Sequence, residues 1–233
     1  MDFSYSSIPQ EERKPTIGLV VLQSDETVEP ELHHWLPADK YDVFVSRVPS
    51  GEEVTEETLG AMANSMTHAA SLFPRPAAFD AVAYCCTSGT SVIGSQKVAE
   101  LIQNGCTTSS VTNPLSALVW ACEKQGIKRL AFLSPYVEAV SARLRDVIAE
   151  HSIDTSVFGS FNEGREAAVA WIDAASIREA ATTLVKDVDV DGVFLSCTNL
   201  KTRELLGSLS QEIGKPVLSS NFVLAEHLKE LAS

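Results

Sequence analysis

The chain has 233 residues, of which 45% are hydrophobic and 21% are charged, which is enough for one large core or two small ones. Its formal net charge of −13 argues against nucleic acid or an anionic membrane as a partner, because both are themselves negatively charged. The net charge does not exclude a small anionic substrate, since the local field of a pocket can oppose the global one.

The five cysteines and the first residues of the chain indicate the cellular compartment in which the protein is expected. An odd number of cysteines in a chain of this length argues against a disulfide scaffold and favours a reducing cytoplasm. Residues 1–15 lack the apolar core of a signal peptide and are expected to be a surface tail, and no apolar run reaches the length of a membrane span. We therefore expect a cytoplasmic protein.

Along the chain, short apolar runs alternate with helical patterns, which predicts an α/β fold with parallel sheets. The predicted strands are 16–22, 41–48, 78–84, 107–111, 129–133, 155–158, 188–195 and 216–218. The predicted helices begin near residue 29 and then cover 52–72, 91–104, 115–125, 137–151, 165–185, 203–213 and 222–231.

One stretch occurs twice. FDAVAYCCTSGTSVIG, from Phe79 to Gly94, has a counterpart in DGVFLSCTN, which begins at Asp191. Cys86 and Cys197 are 111 residues apart, and so are Asp80 and Asp191. This register predicts an internal duplication. We expect two pseudosymmetric doubly wound parallel-sheet halves with the site between them, one formed by 1–113 plus 222–233 and the other by 114–221.

Polar side chains follow the predicted strands at their carboxyl ends, where parallel α/β sheets bind their ligands. They are Asp25, Cys86, Thr87, Ser88, Asn113, Tyr136, Cys197, Thr198 and Asn221. The other cysteines, Cys85, Cys106 and Cys122, are interpreted as small buried residues. Neither a metal-ligand spacing nor a nucleotide-binding glycine pattern occurs, so we expect no metal and no cofactor.

Two thiols on similar loops suggest a pair of acid/base groups on opposite faces of one substrate carbon. In a racemisation, a thiolate takes a proton from one face while a thiol donates one to the other. Alternatively, one thiolate adds to a double bond, permits rotation and leaves. Thr87, Ser88 and Thr198 are expected to hold a substrate carboxylate. A binding protein that has kept this scaffold without turnover is the alternative from another class.

These segments resemble the aspartate/glutamate racemase superfamily, and within it the maleate cis–trans isomerase and arylmalonate decarboxylase branch. The resemblance rests on VLQSDETVEPE, AYCCTSGTSVIG, TNPLSAL, LSPY, FLSCTNL and PVLSSN. It implies that Cys86 and Cys197 are catalytic, and that Thr87, Ser88, Tyr136 and Thr198 bind substrate. Decarboxylase members carry glycine at the first cysteine, so Cys86 favours an isomerase or a racemase. A homodimer is common among resembling proteins.

Two positions depart from the maleate isomerase pattern. Asp25 and Glu166 stand where those enzymes carry asparagine. A carboxylate there would repel a second substrate carboxylate and attract an ammonium group. The QSDET loop is also similar to the ectoine-utilisation members of the family, whose pathway compounds are amino acids. The expected substrate is therefore a small carboxylate or an amino acid.

Overall fold

The computed structural model describes residues 1–9 and 12–233, and its core is two four-stranded parallel sheets. The first sheet has the order β2-β1-β3-β4 and the second the order β6-β5-β7-β8, so the same topology occurs twice, as the duplication predicts. The strands of the first sheet are β1 (Thr16–Leu22), β2 (Asp42–Val48), β3 (Phe79–Cys85) and β4 (Thr108–Thr112). Those of the second are β5 (Arg129–Tyr136), β6 (Asp154–Glu163), β7 (Gly192–Leu195) and β8 (Val217–Ser219).

Eleven helices within the described residues connect and cover these strands. They are α1 (Val28–Trp35), α2 (Glu56–Ala61), α3 (Ala63–Ser71), α4 (Thr87–Ile93), α5 (Ser95–Gln103), α6 (Pro114–Gln125), α7 (Glu138–Ala149), α8 (Glu166–Val169), α9 (Ala174–Leu184), α10 (Leu206–Ile213) and α11 (Ser220–Leu231). The α/β fold with two parallel sheets is thereby confirmed. The helix N-caps include Asn113 for α6 and Ser219 for α11, each accepting a backbone N–H three residues on.

The central strands are apolar on both faces because each face packs into a different core. On β1, Val20 and Leu22 belong to an outer core with α2, α3 and α5, whereas Leu19 and Val21 point into a second core. That second core contains residues of β1, β3, β5, α6 and α11. Because its residues come from both sheets, this second core joins the two halves of the chain.

The repeated aspartates explain part of the duplicated sequence. The Asp80 carboxylate accepts the backbone N–H of Thr16 at 2.7 Å, which fixes the start of β1 against β3. The Asp191 carboxylate likewise accepts the N–H groups of Lys128 and Arg129, both at 2.8 Å, at the start of β5. Both aspartates lie at the end of the sheet opposite the cysteines, so their role is to align strands.

Three predicted long helices are wrong. The pattern 52–72 forms two helices, α2 and α3, and its first residues are a loop that pairs Glu53 with Arg165. The pattern 91–104 is interrupted at Gly94, whose φ of +90° is one that L side chains rarely adopt, so that α5 begins afresh. The pattern 165–185 consists of the short α8 and, after a turn, α9.

Among the described helices, none combines the length and the apolar character needed to cross a bilayer. The division of the chain at residues 113 and 221 stays a prediction. It is supported by α11, which packs on β3 and β4 of the first sheet as well as on β8.

Candidate active site

The two cysteines lie where two equivalent strands end. Cys86 follows β3 and is the N-cap residue of α4, and Cys197 comes two residues after β7. Only 3% of Cys86 and 2% of Cys197 is exposed to solvent. The carboxyl ends of the parallel strands therefore place both thiols inside the protein rather than on an open surface.

The Cys86 sulfur is held by the first turn of α4. It accepts the backbone N–H of Gly89 at 3.1 Å, and the Ser88 hydroxyl lies 3.7 Å away. Burial is the main reason that the pKa of Cys86 rises to about 12, and the nearby carboxylate of Glu166 adds to the rise. The Gly89 and Ser88 contacts act in the opposite direction, because they stabilise a thiolate.

Cys197 has a strained backbone and a different set of partners. Its φ is +105°, a region that residues other than glycine rarely occupy. Its sulfur lies 2.8 Å from the hydroxyl oxygen of Tyr136 and accepts the backbone N–H of Asn199 at 3.2 Å. Burial raises the pKa of the Cys197 thiol well above its usual value, and Glu166 raises it further.

Hydrogen bonds join the two cysteine loops. The Thr87 hydroxyl donates to the Ser220 oxygen at 2.9 Å, and the same oxygen accepts the backbone N–H of Cys197 at 3.0 Å. The Thr198 hydroxyl donates to the backbone carbonyl of Cys85 at 3.2 Å. The structure thus brings together the two loops that the sequence predicts to face one another, and Thr87 and Thr198 contribute to their connection.

Glu166, at the start of α8, extends the site beyond Cys197. Its Oε2 accepts the Tyr136 hydroxyl at 3.0 Å, and its Oε1 accepts the Asn199 side-chain amide at 3.2 Å. Only 5% of the residue is exposed. Burial raises the pKa of Glu166 to about 7, with a smaller rise from Asp25, while the hydrogen bonds of Tyr136 and Asn199 lower it.

Asp25 lies in the turn between β1 and α1 and is buried. Its Oδ1 accepts the backbone N–H groups of Thr27 and Val28, both at 2.8 Å. Its Oδ2 has no hydrogen-bond partner within the described residues. Burial raises the pKa of Asp25, and the two amides counteract that rise, with smaller contributions from the nearby Thr198 hydroxyl and the charge of Arg47.

The two asparagines after β4 and β8 have different surroundings. The Asn221 amide donates to the Glu31 carboxylate and to the Thr198 carbonyl, both at 2.8 Å, and its Oδ1 is buried without a partner among residues 1–9 and 12–233. Asn113 is buried too, but its Oδ1 accepts the Ser116 N–H as the cap of α6. Substrate binding stays a prediction for both residues.

Three residues of this network were not predicted from the sequence. Asn199 touches both Cys197 and Glu166, and Ser220 connects the two cysteine loops. Glu31 accepts the backbone N–H groups of Thr202 and Arg203 at 2.7 and 2.9 Å. Asn199 and Ser220 stand within the CTN and SSN motifs, which is a readable signal, whereas nothing local separates Glu31 from its acidic neighbour Glu29.

A cavity of about 630 Å³ lies beside the site. Its walls come from the loop that contains Thr27, from the turn around Trp171 and from the segment that includes Lys201 and Arg203. Neither Cys86 nor Cys197 lines it, so the cavity does not reach the thiols. The described residues contain no cluster of three or more histidine, cysteine or acidic side chains arranged to hold a metal ion.

Comparisons with known proteins agree with this architecture. A family model described as arylmalonate decarboxylase matches residues 17–228. The chain is 31% identical to the arylmalonate decarboxylase of Bordetella bronchiseptica over 119 residues, which is 50% of this chain and only 47% of that protein. It is 26% identical to the maleate isomerase of Alcaligenes faecalis over 219 residues, covering 88% of this chain and 85% of the relative.

The fold is also that of a solved maleate cis–trans isomerase from Nocardia farcinica. That structure, of a cysteine-to-serine variant, contains a covalently bound succinylcysteine intermediate. It superposes with a TM-score of 0.81 at 23% identity, and the match covers 94% of this chain and 93% of the other. The maleate isomerase and arylmalonate decarboxylase branch is therefore confirmed.

Proposed function

We propose that this chain, which belongs to the arylmalonate decarboxylase family, is an isomerase or racemase of a small carboxylic acid that uses Cys86 and Cys197 as its reacting groups. The observation that carries the proposal is the pair of buried thiols at equivalent strand ends. Their loops are joined by the hydrogen bonds from Thr87 to Ser220 and from Cys197 to Ser220.

Two thiols are sufficient for both proton transfers of a racemisation. A thiolate removes the proton next to the carboxylate, negative charge develops on the carboxylate oxygens, and the other thiol protonates the opposite face. Cys86 and Cys197 supply these groups, and Ser88, whose hydroxyl lies 3.7 Å from the Cys86 sulfur, contacts the carboxylate. Exclusion of water from the site strengthens each of these interactions.

Covalent cis–trans isomerisation is the closely related possibility. In that reaction a cysteine thiolate adds to one carbon of a carbon–carbon double bond while the other thiol protonates the adjacent carbon. The resulting single bond rotates, and return of that proton to the second sulfur lets the first sulfur leave as the double bond forms again. The support is the similarity to maleate isomerases and, in particular, to the Nocardia farcinica enzyme with its succinylcysteine intermediate. The products separate the two reactions, because racemisation inverts the α-carbon of an amino acid with exchange of its proton, whereas isomerisation converts maleate into its trans isomer.

The acceptor groups of the site favour an amino acid over a dicarboxylate. Asp25 Oδ2 and Asn221 Oδ1 are buried acceptors that lack a donor within the described part of the chain. The carboxylates of Asp25 and Glu166 receive their described hydrogen bonds from uncharged donors only. A substrate ammonium group would supply both a donor and a positive charge, whereas a second substrate carboxylate would be repelled.

Turnover in deuterated water tests the proposed function. The intact chain is incubated with maleate and with the enantiomers of acidic and diamino acids, and deuterium at the α-carbon is followed by NMR. We expect Cys86→Ser and Cys197→Ser each to lower turnover by more than about a hundredfold, as is usual for loss of an acid/base group. Cys106→Ser, at a half-buried position outside the site, is the matched control.

Each result has a distinct meaning. Exchange at the α-carbon of an amino acid indicates a racemase, and conversion of maleate into its trans isomer indicates covalent isomerisation. Binding without conversion would mean a non-catalytic binding protein and would overturn the proposal. Full turnover in both serine variants would overturn it as well.

The substrate preference depends on Asp25. Asparagine at this position keeps the Oδ1 that accepts the N–H groups of Thr27 and Val28 and removes only the negative charge. We therefore expect Asp25→Asn to raise KM for an amino-acid substrate by about tenfold or more, the usual effect of losing a charged hydrogen bond, with little change in Tm. An unchanged ratio of kcat/KM between maleate and the amino acid would contradict the role of Asp25.

Decarboxylation is the second candidate function. It is favoured by the family model and by the 31% identity to the Bordetella bronchiseptica enzyme. Release of carbon dioxide from an arylmalonate substrate, measured alongside the exchange experiment, decides between the two. We expect none, because the resemblance places glycine in decarboxylases at the position that Cys86 occupies.

A further inference from the structure

Cys197, Tyr136 and Glu166 form one continuous hydrogen-bonded chain. The sulfur lies 2.8 Å from the Tyr136 oxygen, and that hydroxyl donates to Glu166 Oε2 at 3.0 Å. Asn199 supports both ends, because its backbone N–H contacts the sulfur and its side-chain amide contacts Glu166 Oε1. All four residues are buried, so the arrangement is shielded from water.

The number of available protons determines which groups donate and which accept in these hydrogen bonds. An ionised carboxylate can only accept hydrogen bonds, and a phenol has a single proton to donate. While Glu166 is ionised, the Tyr136 hydroxyl therefore donates its hydrogen bond to the carboxylate. The Tyr136 oxygen can then only accept from the sulfur, which requires Cys197 to carry its proton.

Cys86 has no such arrangement. Its sulfur contacts the Gly89 N–H and the Ser88 hydroxyl and also faces the Tyr84 hydroxyl, but Tyr84 donates to the Met62 sulfur, and the hydrogen bonds described for these groups reach no carboxylate. The two thiols therefore occupy duplicated positions but unequal surroundings. A two-cysteine reaction needs this inequality, since one sulfur must be ionised while the other holds a proton.

We propose that Glu166 is a positioning residue that acts through Tyr136 to hold Cys197 as the protonated thiol of the pair. The inference rests on the proposed function, in which Cys197 is one of the two reacting groups. It goes beyond that function by giving the two cysteines different resting states and by naming the residue responsible. Glu166 reaches the reacting sulfur through the Tyr136 hydroxyl, and Asn199 bridges the same two groups through its backbone N–H and its side-chain amide.

The ionisable groups around Glu166 come from several elements. Asp25 follows β1, Cys86 follows β3, Tyr136 ends β5 and Cys197 follows β7. Burial raises the pKa of Glu166 to about 7, so the carboxylate gains a proton just below neutral pH. Once Glu166 is protonated, the Tyr136 proton is free to turn towards Cys197 and stabilise a thiolate.

Alkylation of the two cysteines as a function of pH tests the inference without any substrate. The intact protein is treated with iodoacetamide, and the rates at Cys86 and Cys197 are measured separately by peptide mass spectrometry. In Glu166→Gln the side-chain amide can donate to the Tyr136 oxygen, which leaves the Tyr136 proton for the sulfur. We expect Cys197 to react about tenfold or more faster at a given pH, equivalent to a midpoint lower by about one pH unit.

Glu166→Gln also removes a nearby negative charge, which would favour the Cys197 thiolate through space. A Tyr136→Phe background separates this electrostatic effect from the effect transmitted by the Tyr136 hydroxyl. If the hydroxyl transmits the influence of Glu166, the acceleration at Cys197 should fall by more than half in Tyr136→Phe, as coupling in a double-mutant cycle. At Cys86, whose described hydrogen bonds do not include Tyr136, the effect of Glu166→Gln should be equal in both backgrounds. An equal acceleration at Cys197 with and without Tyr136 would overturn the inference, and so would no acceleration at all.

Infrared spectroscopy gives a second readout that needs neither reagent access nor a Tyr136 variant. The S–H stretching band of Cys197 is identified by difference against Cys197→Ser. In the wild-type protein at pH values above the pKa of Glu166, the band should be shifted to lower frequency, because the S–H group donates to Tyr136. In Glu166→Gln the shift should disappear, and its persistence would contradict the inference. Alkylation and infrared spectroscopy do not depend on turnover. A failure of the proposed function in the turnover experiment can therefore be distinguished from a failure of this inference.

Discussion

Among single residues, Glu166 is expected to make the stability of the protein depend on pH below neutrality. Its ordinary pKa of 4.5 is raised by burial to about 7 in the folded protein. Between these two values the folded protein keeps a proton that the unfolded chain has already released. The free energy of unfolding therefore falls as the pH rises through this window, by about 3 kcal/mol for this one group.

Replacement of Glu166 by glutamine should remove this dependence. We expect the wild-type protein to lose about 3 kcal/mol more unfolding free energy than Glu166→Gln between about pH 4 and about pH 8, measured by urea unfolding. Glu179→Gln, at an exposed position of α9, is the matched control and should behave like the wild-type protein. Parallel pH curves for wild type and Glu166→Gln would show that the buried carboxyl group does not retain its proton.

Among the elements, α4 depends on a close approach that only glycine permits. A Cβ atom at Gly89 would lie 2.4 Å from the Tyr84 hydroxyl oxygen and 3.0 Å from the Cys86 sulfur. The first turn of α4 therefore packs directly on β3, and this contact positions the Gly89 N–H that holds Cys86. The requirement is steric and concerns the placement of the first cysteine.

Alanine at this position should disturb both the fold and the site. We expect Gly89→Ala to lower the free energy of unfolding by about 1–3 kcal/mol, the usual cost of overpacking, and to change the alkylation rate of Cys86. Gly60→Ala in α2 is the control, because its nearest neighbour would be Val92 at 3.7 Å, and here a gain of up to about 1 kcal/mol is expected. In a Tyr84→Phe background the cost of Gly89→Ala should be smaller, and an undiminished cost would contradict the proposed clash.

The same elements show how much the sequence determines locally. The cysteine loops were predictable because each follows an apolar run, and because the distance between the two copies reveals the duplication. The predicted long helices were wrong where a periodic pattern continues through a turn, as at Gly94. Asn199 and Glu31 were missed because their partners lie about 30 and 170 residues away in sequence, and such contacts leave no local signal.

On the scale of the whole molecule, the two halves meet through a shared apolar core and a set of polar contacts at the site. Glu31 supplies several of these contacts from α1. Its Oε1 accepts the backbone N–H groups of Thr202 and Arg203, and its Oε2 accepts the Thr202 hydroxyl at 3.2 Å and the Asn221 amide at 2.8 Å. A single buried carboxylate thus joins α1, which follows the first strand, to Thr202, Arg203 and Asn221 in the second half of the chain.

Loss of this carboxylate should weaken the connection between the halves. In Glu31→Gln one oxygen becomes an amino group that faces other donors, so at least one charged hydrogen bond is lost and a donor is left unpaired. We expect the free energy of unfolding to fall by about 2–4 kcal/mol in urea, with lower turnover because the Asn221 amide is released. Glu29→Gln, two residues away and partly exposed in its ion pair with Arg47, should cost less than about 1 kcal/mol. If the two variants are equally stable, the halves are held together by the shared apolar core and not by Glu31.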